Sequence, residues 1–434
     1  MPIKRLVLHM SWPIMLSMLM QAIYNLVDSI FVARISDEAF LALSYAYPIQ
    51  TLMIAFCVGT GVAFAATLSK RLGERKTDEA VSVVLHGFLL FFSCWVLFLL
   101  FGLFGAAPFL SSCTDTGEVA KLGAEYLTIC CCFSFGICIQ FPIERILQAT
   151  GHPAGFMLVQ GTGALLNLIL DPIFIFHLGL GVKGAAIATV IGQIAGACVG
   201  ILLLFRFRRQ LPLTLKGFRF QFPLVREIGT IAIPAILMQS LISVMSMGLN
   251  AILRLWSETA VWVLGAYFKI QSFVFMPIFS INNALIAIIS YNYGANQKPR
   301  ARQAIHFGIG LAVCITLGGA LLLSAAASPL LSLCFDAGPA ALELGIPSLR
   351  LTALSFPIAA VSIILSAAFQ SLGFSRYSLT VSLLRFVIIL LPVAYVLVNV
   401  VPHLVFLSFF LTEVVSTLVS LVLYRNVNTK MLSD

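Results

Sequence analysis

The sequence predicts an all-α membrane protein with twelve transmembrane helices, arranged as two six-helix bundles related by a pseudo-twofold axis. Three observations lead to this prediction. Of the 434 residues, 60% are apolar and only 10% are charged, and the mean hydropathy is +1.03. Several long segments contain no Asp, Glu, Lys or Arg. The second half of the chain also repeats the first half in register.

This composition excludes an ordinary water-soluble domain, in which about a quarter of the residues are charged. The charge-free runs 83–109, 184–205 and 307–335 are each as long as the roughly 20 residues that a helix needs to cross a bilayer. Polar and apolar residues do not alternate in them, which excludes a transmembrane β-barrel. Because lipid offers no hydrogen-bond partners to the backbone, these runs are predicted to be helices.

Lys4 and Arg5 precede the first apolar stretch, as in a secretory signal peptide. The stretch continues to Phe31 without a small-residue cleavage site, so we interpret it as a retained first helix. Gly, Pro and charged residues delimit the other spans. The twelve predicted spans lie near residues 8–33, 44–69, 83–109, 122–143, 156–177, 184–205, 227–253, 261–289, 304–328, 344–370, 378–400 and 404–424.

The basic residues predict the orientation, because Lys and Arg accumulate in cytoplasmic loops. With the N-terminus inside, nineteen of the 26 Lys and Arg residues fall on the inner side. Four fall on the outer side, namely Arg34, Lys121, Lys183 and Arg254. The net charge of +9 is then explained by loops that face anionic lipid, and no nucleic-acid partner is needed. We expect a multi-pass protein of the bacterial inner membrane with both termini in the cytoplasm.

A shift of 221 residues aligns the chain with itself, so that Pro13 matches Pro234 and Gly73 matches Gly294. Prolines and glycines are informative because they fix kinks and close approaches. Six helices per repeat make the duplication parallel, which is typical of transporters, and a purely structural duplicated bundle is the alternative. The predicted domains are an N-terminal lobe (1–207), a basic cytoplasmic linker (208–225) and a C-terminal lobe (226–434).

Ionisable groups inside the spans are informative, because a charge near the bilayer centre costs at least about 2.5–3.5 kcal/mol and usually marks function or pairing. Asp28, Asp171 and Thr189 each lie six residues from a marker of the outer end, about 9 Å deep at 1.5 Å per residue. Asn167 lies one turn from Asp171 on the same helix face. Such hard oxygen ligands suit Na⁺ or a proton. Alternatively, each group satisfies kinked backbone locally.

The C-terminal half lacks this polar layer, so the predicted ion site exists in one half only. The corresponding positions hold Leu249, Val387, Leu391 and Phe409. Near mid-membrane this half carries Lys269, Arg385 and Glu413 instead. A Lys269–Glu413 pair and an Arg385–Glu413 pair are both compatible with the spacing. Either pair would act as a gate or substrate contact, or as a structural ion pair.

An intramembrane enzyme would need a nucleophile–base pair or a metal-binding motif within the spans. The six histidines lie at or near helix ends, and none forms such a motif. We therefore expect neither enzymatic activity nor a bound cofactor.

Five short segments carry a resemblance to a known family. They are 24–28 (YNLVD), 145–151 (RILQATG), 167–172 (NLILDP), 181–193 (GVKGAAIATVIGQ) and 291–295 (YNYGA). Through them the chain resembles multidrug and toxic compound extrusion (MATE) transporters of the DinF/MepA-type branch along nearly its whole length. The resemblance implies a V-shaped pair of six-helix lobes and a coupling site at four residues, which the depth argument also selects. These are Asp28, Asn167, Asp171 and Thr189.

The resemblance further implies a cation-coupled antiporter that exports amphipathic, mostly cationic organic compounds in exchange for Na⁺ or H⁺. We expect small organic cations and membrane lipid as its partners and a monomeric state. The candidate substrate or gating residues are Tyr24, Gln193, Lys269 and Glu413. The alternative is a lipid-linked precursor flippase, in which Lys269, Arg350 and Arg385 would form a basic cavity.

Overall fold

The computed structural model describes residues 1–33, 35–114, 116–207, 219–334 and 338–432. These residues form sixteen α-helices with several π-helical turns, and the described ranges contain no strand. They group into two compact units. The N-terminal unit comprises Trp12–Ile236, and the C-terminal unit comprises Met1–Ser11 and Leu237–Asp434. Of the linker predicted at 208–225, residues 208–218 lie outside the described residues.

The helices of the first half of the chain end where Gly, Pro or a polar turn interrupts the apolar pattern. They are α1 (Ile3–Ala33), α2 (Asp37–Gly73), α3 (Thr77–Leu100), α4 (Ala106–Cys113), α5 (Gly117–Cys132), α6 (Phe135–Ala149), α7 (Pro153–Pro172) and α8 (Gly181–Phe207). The π-helical turns Phe101–Gly105 and Ile173–His177 continue α3 and α7.

The second half repeats this series. Its helices are α9 (Phe222–Arg254), α10 (Glu258–Gly294), α11 (Lys298–Pro329), α12 (Pro339–Ala353), α13 (Phe356–Ser371), α14 (Ser375–Leu383), α15 (Leu390–Val400) and α16 (Leu407–Val427). The π-helical turns in this half are Leu330–Cys334, Leu384–Ile388 and Asn428–Leu432, and a short 3₁₀ turn spans Pro402–Leu404.

Ten helical segments in the described ranges are long and apolar enough to cross a membrane. Two further spans are bent pairs, α5 with α6 at 46° and α12 with α13 at 47°. Counting each bent pair once gives twelve spans, as predicted. The bent pairs occupy the fourth and tenth predicted positions, which the sequence repeat relates to each other.

Both bends have the same local cause. Ser134 and Ser355, which the 221-residue shift relates, each follow the first helix of a bent pair. Their hydroxyls donate to the carbonyl oxygens of Cys131 at 2.7 Å and Thr352 at 2.6 Å. A hydroxyl that bonds to the preceding turn competes with the regular helical ladder. The helix therefore ends there and restarts in a new direction.

The turns after α2 and α10 repeat as well. Arg75 and Asn296, again 221 residues apart, adopt positive φ angles of 58° and 57°. The next residues, Lys76 and Gln297, donate their backbone N–H groups five residues back, at 3.1 and 2.8 Å. The duplication thus preserves backbone conformation where the side chains differ.

Gly151 closes the turn between α6 and α7 with φ +79°. Its counterpart Gly373, at a shift of 222, has φ +84°. A Cβ at Gly151 would meet no atom within 4 Å, so the cost of adding one is backbone strain alone. We expect Gly151→Ala to destabilise the protein by about 1–2 kcal/mol. Thermal unfolding of the detergent-solubilised protein measures this.

The matched control is Gly117→Ala at the start of α5, where φ is not positive and a Cβ also meets open space. It should leave the melting temperature unchanged or raise it slightly. Equal losses in the two variants would contradict the assignment of strain to Gly151.

Ion pairs hold the start of α9 to the turn between α2 and α3 within the N-terminal unit. Arg71 contacts Glu74 at 3.2 Å, Glu79 at 3.3 Å and Glu227 at 2.7 Å. Just upstream, the backbone N–H of Gln221 donates to Nε2 of the buried His86 at 2.8 Å. The last residues of the predicted linker are therefore docked, and residues 222–225 already belong to α9.

Candidate functional site

A stripe of small residues on α8 brings this helix close to α7. Gly184, Ala188, Gly192, Gly196 and Gly200 recur every fourth residue, so they share one helix face. Small residues on such a face let two backbones approach closely in a membrane. A Cβ on Gly192 would lie 2.6 Å from the carbonyl oxygen of Gly163.

This close packing positions the polar residues of the predicted site, because Asn167 lies one turn beyond Gly163 and Thr189 almost one turn before Gly192. We expect Gly192→Ala to cost about 1–3 kcal/mol through overpacking and to separate Asn167 from Thr189. Thermal unfolding measures the loss of stability.

Gly229→Ala in α9 is the control, since a Cβ there would contact no atom within 4 Å. It should not lower the melting temperature. A melting temperature for Gly192→Ala equal to that of Gly229→Ala would contradict the packing argument.

Asn167 joins Asp171 and Thr189. Asn167 and Asp171 are 2% and 0% exposed. The Asn167 amide donates to Asp171 Oδ1 at 3.4 Å and to Thr189 Oγ1 at 3.2 Å. Turning this amide by 180° gives a better set of bonds, in which Nδ2 donates to Asp171 Oδ2 at 3.1 Å. Its oxygen then accepts from the backbone N–H and the hydroxyl of Thr189, at 3.1 and 3.2 Å.

Asp28 of α1 completes the group. Its carboxyl lies within hydrogen-bonding range of the Asp171 carboxyl. Its Oδ1 is buried and has no hydrogen-bond partner among the described residues. Buried polar atoms are nearly always satisfied, and two adjacent carboxylates repel unless a positive charge lies between them. The structure therefore brings all four predicted residues together, with an orphaned oxygen that a bound cation or a proton would satisfy.

The chemistry of this group fits a hard monovalent cation or a proton. Two carboxylates, an amide and a hydroxyl provide only oxygen ligands of the kind that alkali and alkaline-earth ions prefer. Among the described residues no cluster of three or more His, Cys, Asp or Glu side chains could hold a metal. A transition-metal centre of that composition is therefore not present in the described part of the chain.

An open cavity of about 440 Å³ adjoins the site within the N-terminal unit. Asn167 and Thr189 contribute to its wall, so they belong to both the ion group and the cavity. Tyr24 and Gln193, two of the predicted substrate residues, also line it. The hydroxyl of Tyr24 hydrogen-bonds with Gln21 and lies close to both carboxylates.

The sequence analysis missed the neutral amides of this cavity. Gln21, Gln140 and Gln160 line it together with Gln193, and Gln160 Nε2 donates to Gln21 Oε1 at 2.6 Å. The analysis weighted charged residues by their cost in lipid, and amides carry a smaller cost. Their recurrence inside four different apolar helices was the available signal.

The C-terminal unit packs the equivalent positions with apolar side chains. A Cβ on Gly248 would lie 2.8 Å from Leu391, Leu249 is buried, and Phe409 packs on Tyr267 with ring centroids 5.0 Å apart. The ion group thus has no counterpart at these positions, as the sequence predicts.

Of the two ion pairs left open by the sequence, the structure forms Arg385–Glu413. Arg385 Nε lies 2.5 Å from Glu413 Oε1, with both side chains largely buried. The other carboxyl oxygen of Glu413, Oε2, has no hydrogen-bond partner among the described residues. Lys269 lies on an exposed part of α10.

Comparison with known proteins agrees with the duplication. The sequence profile of the MatE family matches residues 13–173 and again 234–396. The two matches begin at Pro13 and Pro234, the positions that the 221-residue shift relates. Together they cover most of the chain.

Curated relatives match over nearly the same length. The FAD transporter of Shewanella oneidensis is 27% identical over 414 residues, which cover 91% of this chain and 88% of that protein. The multidrug export protein MepA of Staphylococcus haemolyticus is 26% identical over 405 residues, covering 91% and 87%.

Solved structures share the fold. A MOP superfamily transporter from Pyrococcus furiosus superposes with a TM-score of 0.94 at 24% identity, covering 100% of this chain and 98% of that chain. An outward-facing multidrug resistance MATE family transporter of the MOP superfamily gives a TM-score of 0.94 at 24% identity, covering 99% and 97%. The predicted fold class and the predicted resemblance to the MepA branch are confirmed. This multi-pass membrane protein belongs to the MatE family of transporters.

Proposed function

We propose that the protein is an antiporter that exports amphipathic, mostly cationic organic compounds in exchange for H⁺ or Na⁺. The observation that carries the proposal is the meeting of Asp28 and Asp171 beside Asn167 and Thr189, next to an open polar cavity. The relationship to MepA supports multidrug efflux as the activity.

The same geometry suggests how ion binding acts on the cavity. Arrival of a cation or proton removes the repulsion between Asp28 and Asp171, so α1 and α7 can approach each other. Asn167 and Thr189 move with this change, and both also line the cavity. A ligand can drive such a transition only by binding the two conformations differently. In this scheme the ion-bound conformation holds the organic substrate more weakly and releases it.

The cavity wall fits an amphipathic substrate. Ile137 and Phe141 supply apolar surface, and the glutamines and Tyr24 supply hydrogen-bonding groups on several sides. The carboxylates at one end favour a positively charged group. Mixed walls of this kind accept many ligands, since no single rigid polar pattern has to be matched.

A second candidate activity is export of a flavin dinucleotide. The relationship to the FAD transporter motivates it. The amide side chains of the cavity support it, because each offers a donor and an acceptor to the edge of a polar heterocycle.

The flippase alternative has less support. It needs basic groups open to a lipid phosphate, but Arg385 is paired with Glu413. Arg350 donates its Nε–H to the Ser324 carbonyl oxygen at 3.1 Å.

We also propose that the protein resides in the inner membrane as a monomer, with both termini in the cytoplasm. The excess of Lys and Arg on the predicted inner side supports this orientation. The ion pairs of Arg71 then lie at the cytoplasmic surface.

Transport from proteoliposomes with Na⁺ and pH gradients imposed separately tests the proposal. Ethidium, as a cationic dye, and FAD are the two probes. We expect one of the two ion gradients to drive accumulation of at least one probe, and collapse of that gradient to stop it. Movement of both probes unaffected by either gradient would contradict ion-coupled antiport.

A further inference from the structure

A second buried carboxylate, Glu144, lies on α6 outside the group described above. Its side chain is 1% exposed, and its Oε1 accepts a hydrogen bond from Gln140 Nε2 at 2.7 Å. Gln140 in turn lines the cavity. Glu144 is therefore one hydrogen bond away from the cavity wall.

Glu144 and Asp171 belong to opposite ends of the N-terminal unit. The turn at residues 150–152 joins α6 to α7, so depth can be measured from this shared end. Glu144 lies five residues before the end of α6, about 7.5 Å along the axis, and Asp171 lies eighteen residues after the start of α7, about 27 Å. Since the two carboxylates differ in depth by roughly 20 Å, they cannot form one site.

The surroundings of Glu144 contain one nearby charge. Arg145 acts on it through its field, but adjacent helical residues do not face each other. Arg145 instead donates to Gln148 Oε1 at 2.9 Å and lies over the Phe156 ring at 5.7 Å.

The helices packed against α6 present small or apolar residues to this region. Gly61 of α2 lies beside Arg145, and Gly196 and Gly200 of α8 lie beside Gln140 and Ile143. In the described part of the chain no charged group from α2, α3, α7 or α8 adds to the field at Glu144. The carboxylate is thus held by one neutral donor and one neighbouring positive charge.

We infer that Glu144 is a second proton-binding site, placed on the inner side of the cavity and in exchange with the water that fills it. A metal ion does not fit, because Gln140 presents its N–H₂ group to the carboxylate and Arg145 repels cations. A proton needs only the carboxylate oxygen. On release, the O–H bond of Glu144 breaks and a cavity water accepts the proton. The carboxylate that remains keeps its bond to Gln140 and the field of Arg145.

This inference deepens the proposed function and rests on it, since the site would pass protons between the cavity and the inner side. Infrared difference spectra of the reconstituted full-length protein, acid minus alkaline, test it without any organic substrate. We expect Glu144→Gln to lose one titrating carboxylic-acid C=O band. The Asp28→Asn/Asp171→Asn double variant should retain that band. Glu144→Asp, which keeps a carboxyl group, should shift it.

Glu125→Gln is the matched control, because Glu125 forms an outer ion pair with Lys183 at 3.1 Å, away from the cavity. It should leave the Glu144 band in place. A Glu144→Gln spectrum identical to that of the wild type would overturn the inference. The double variant reports separately on the proposed function: an unchanged spectrum there would remove proton binding at Asp28 and Asp171 and leave the result for Glu144 intact.

Discussion

Replacing Asp28 with Asn is expected to abolish ion-coupled export and to leave the fold intact. The substitution keeps the volume of the side chain but removes one of the two charges that would hold the ion. An interaction with a charged group is worth about 1.5–3 kcal/mol, and each 1.4 kcal/mol changes an equilibrium tenfold. Ion affinity should therefore fall by about 10- to 100-fold, and transport driven by an ion gradient should be lost at normal expression.

Efflux of the transported probe from proteoliposomes measures this effect, with Glu125→Gln as the control. Glu125 carries the same charge change at an exposed ion pair, which contributes about 0–1 kcal/mol. That variant should transport at nearly the wild-type rate. Wild-type coupled transport by Asp28→Asn would remove Asp28 from the mechanism. A loss in both variants would indicate a general effect of charge.

Replacing Arg385 with Leu is expected to destabilise the C-terminal unit by about 3–5 kcal/mol, because it leaves the buried Glu413 carboxylate without its partner. Glu413 already has one oxygen without a hydrogen bond, so the structure offers it little compensation. The apparent melting temperature in detergent should drop sharply. The double variant Arg385→Leu/Glu413→Leu should recover much of this loss, since a buried ion pair can often be replaced by apolar residues at little cost.

Lys183→Leu serves as the control for Arg385→Leu. It breaks an ion pair whose lysine is half exposed, and such pairs contribute little. A double variant no more stable than Arg385→Leu alone would show that the arginine stabilises the unit by packing, for instance on Phe386, whose ring lies 5.3 Å away. The predicted gating role of Glu413 would gain support if the double variant were stable but inactive.

The sequence predicted the parts of this molecule that depend on periodic or repeated patterns. Span number follows from apolar length, and the conserved turns at Gly151 and Gly373 follow from glycine's access to positive φ. The grouping of Asp28, Asn167, Asp171 and Thr189 followed from counting depth along separate helices. Each of these inferences needs only helix geometry and the solvent preference of side chains.

Features that depend on packing were not predictable in the same way. The fourth span was expected to end at residue 143, but α6 continues to Ala149 because the turn at Gly151 ends it. Glu144 and Arg145 are consequently buried, whereas Arg145 had been assigned to the inner surface. The choice between Arg385 and Lys269 as the partner of Glu413 likewise depends on helix rotation, which periodicity alone does not specify.

Direct measurement of coupling-ion binding tests the central claim most directly. Purified protein is titrated with radioactive Na⁺ at fixed pH, and its proton uptake is followed at fixed Na⁺ concentration, for the wild type and for Asp28→Asn/Asp171→Asn. We expect the wild type to bind one of these ions at a site that the double variant lacks, with Glu125→Gln unchanged. Equal Na⁺ binding and equal proton uptake in the wild type and the double variant would contradict a coupling site at Asp28 and Asp171.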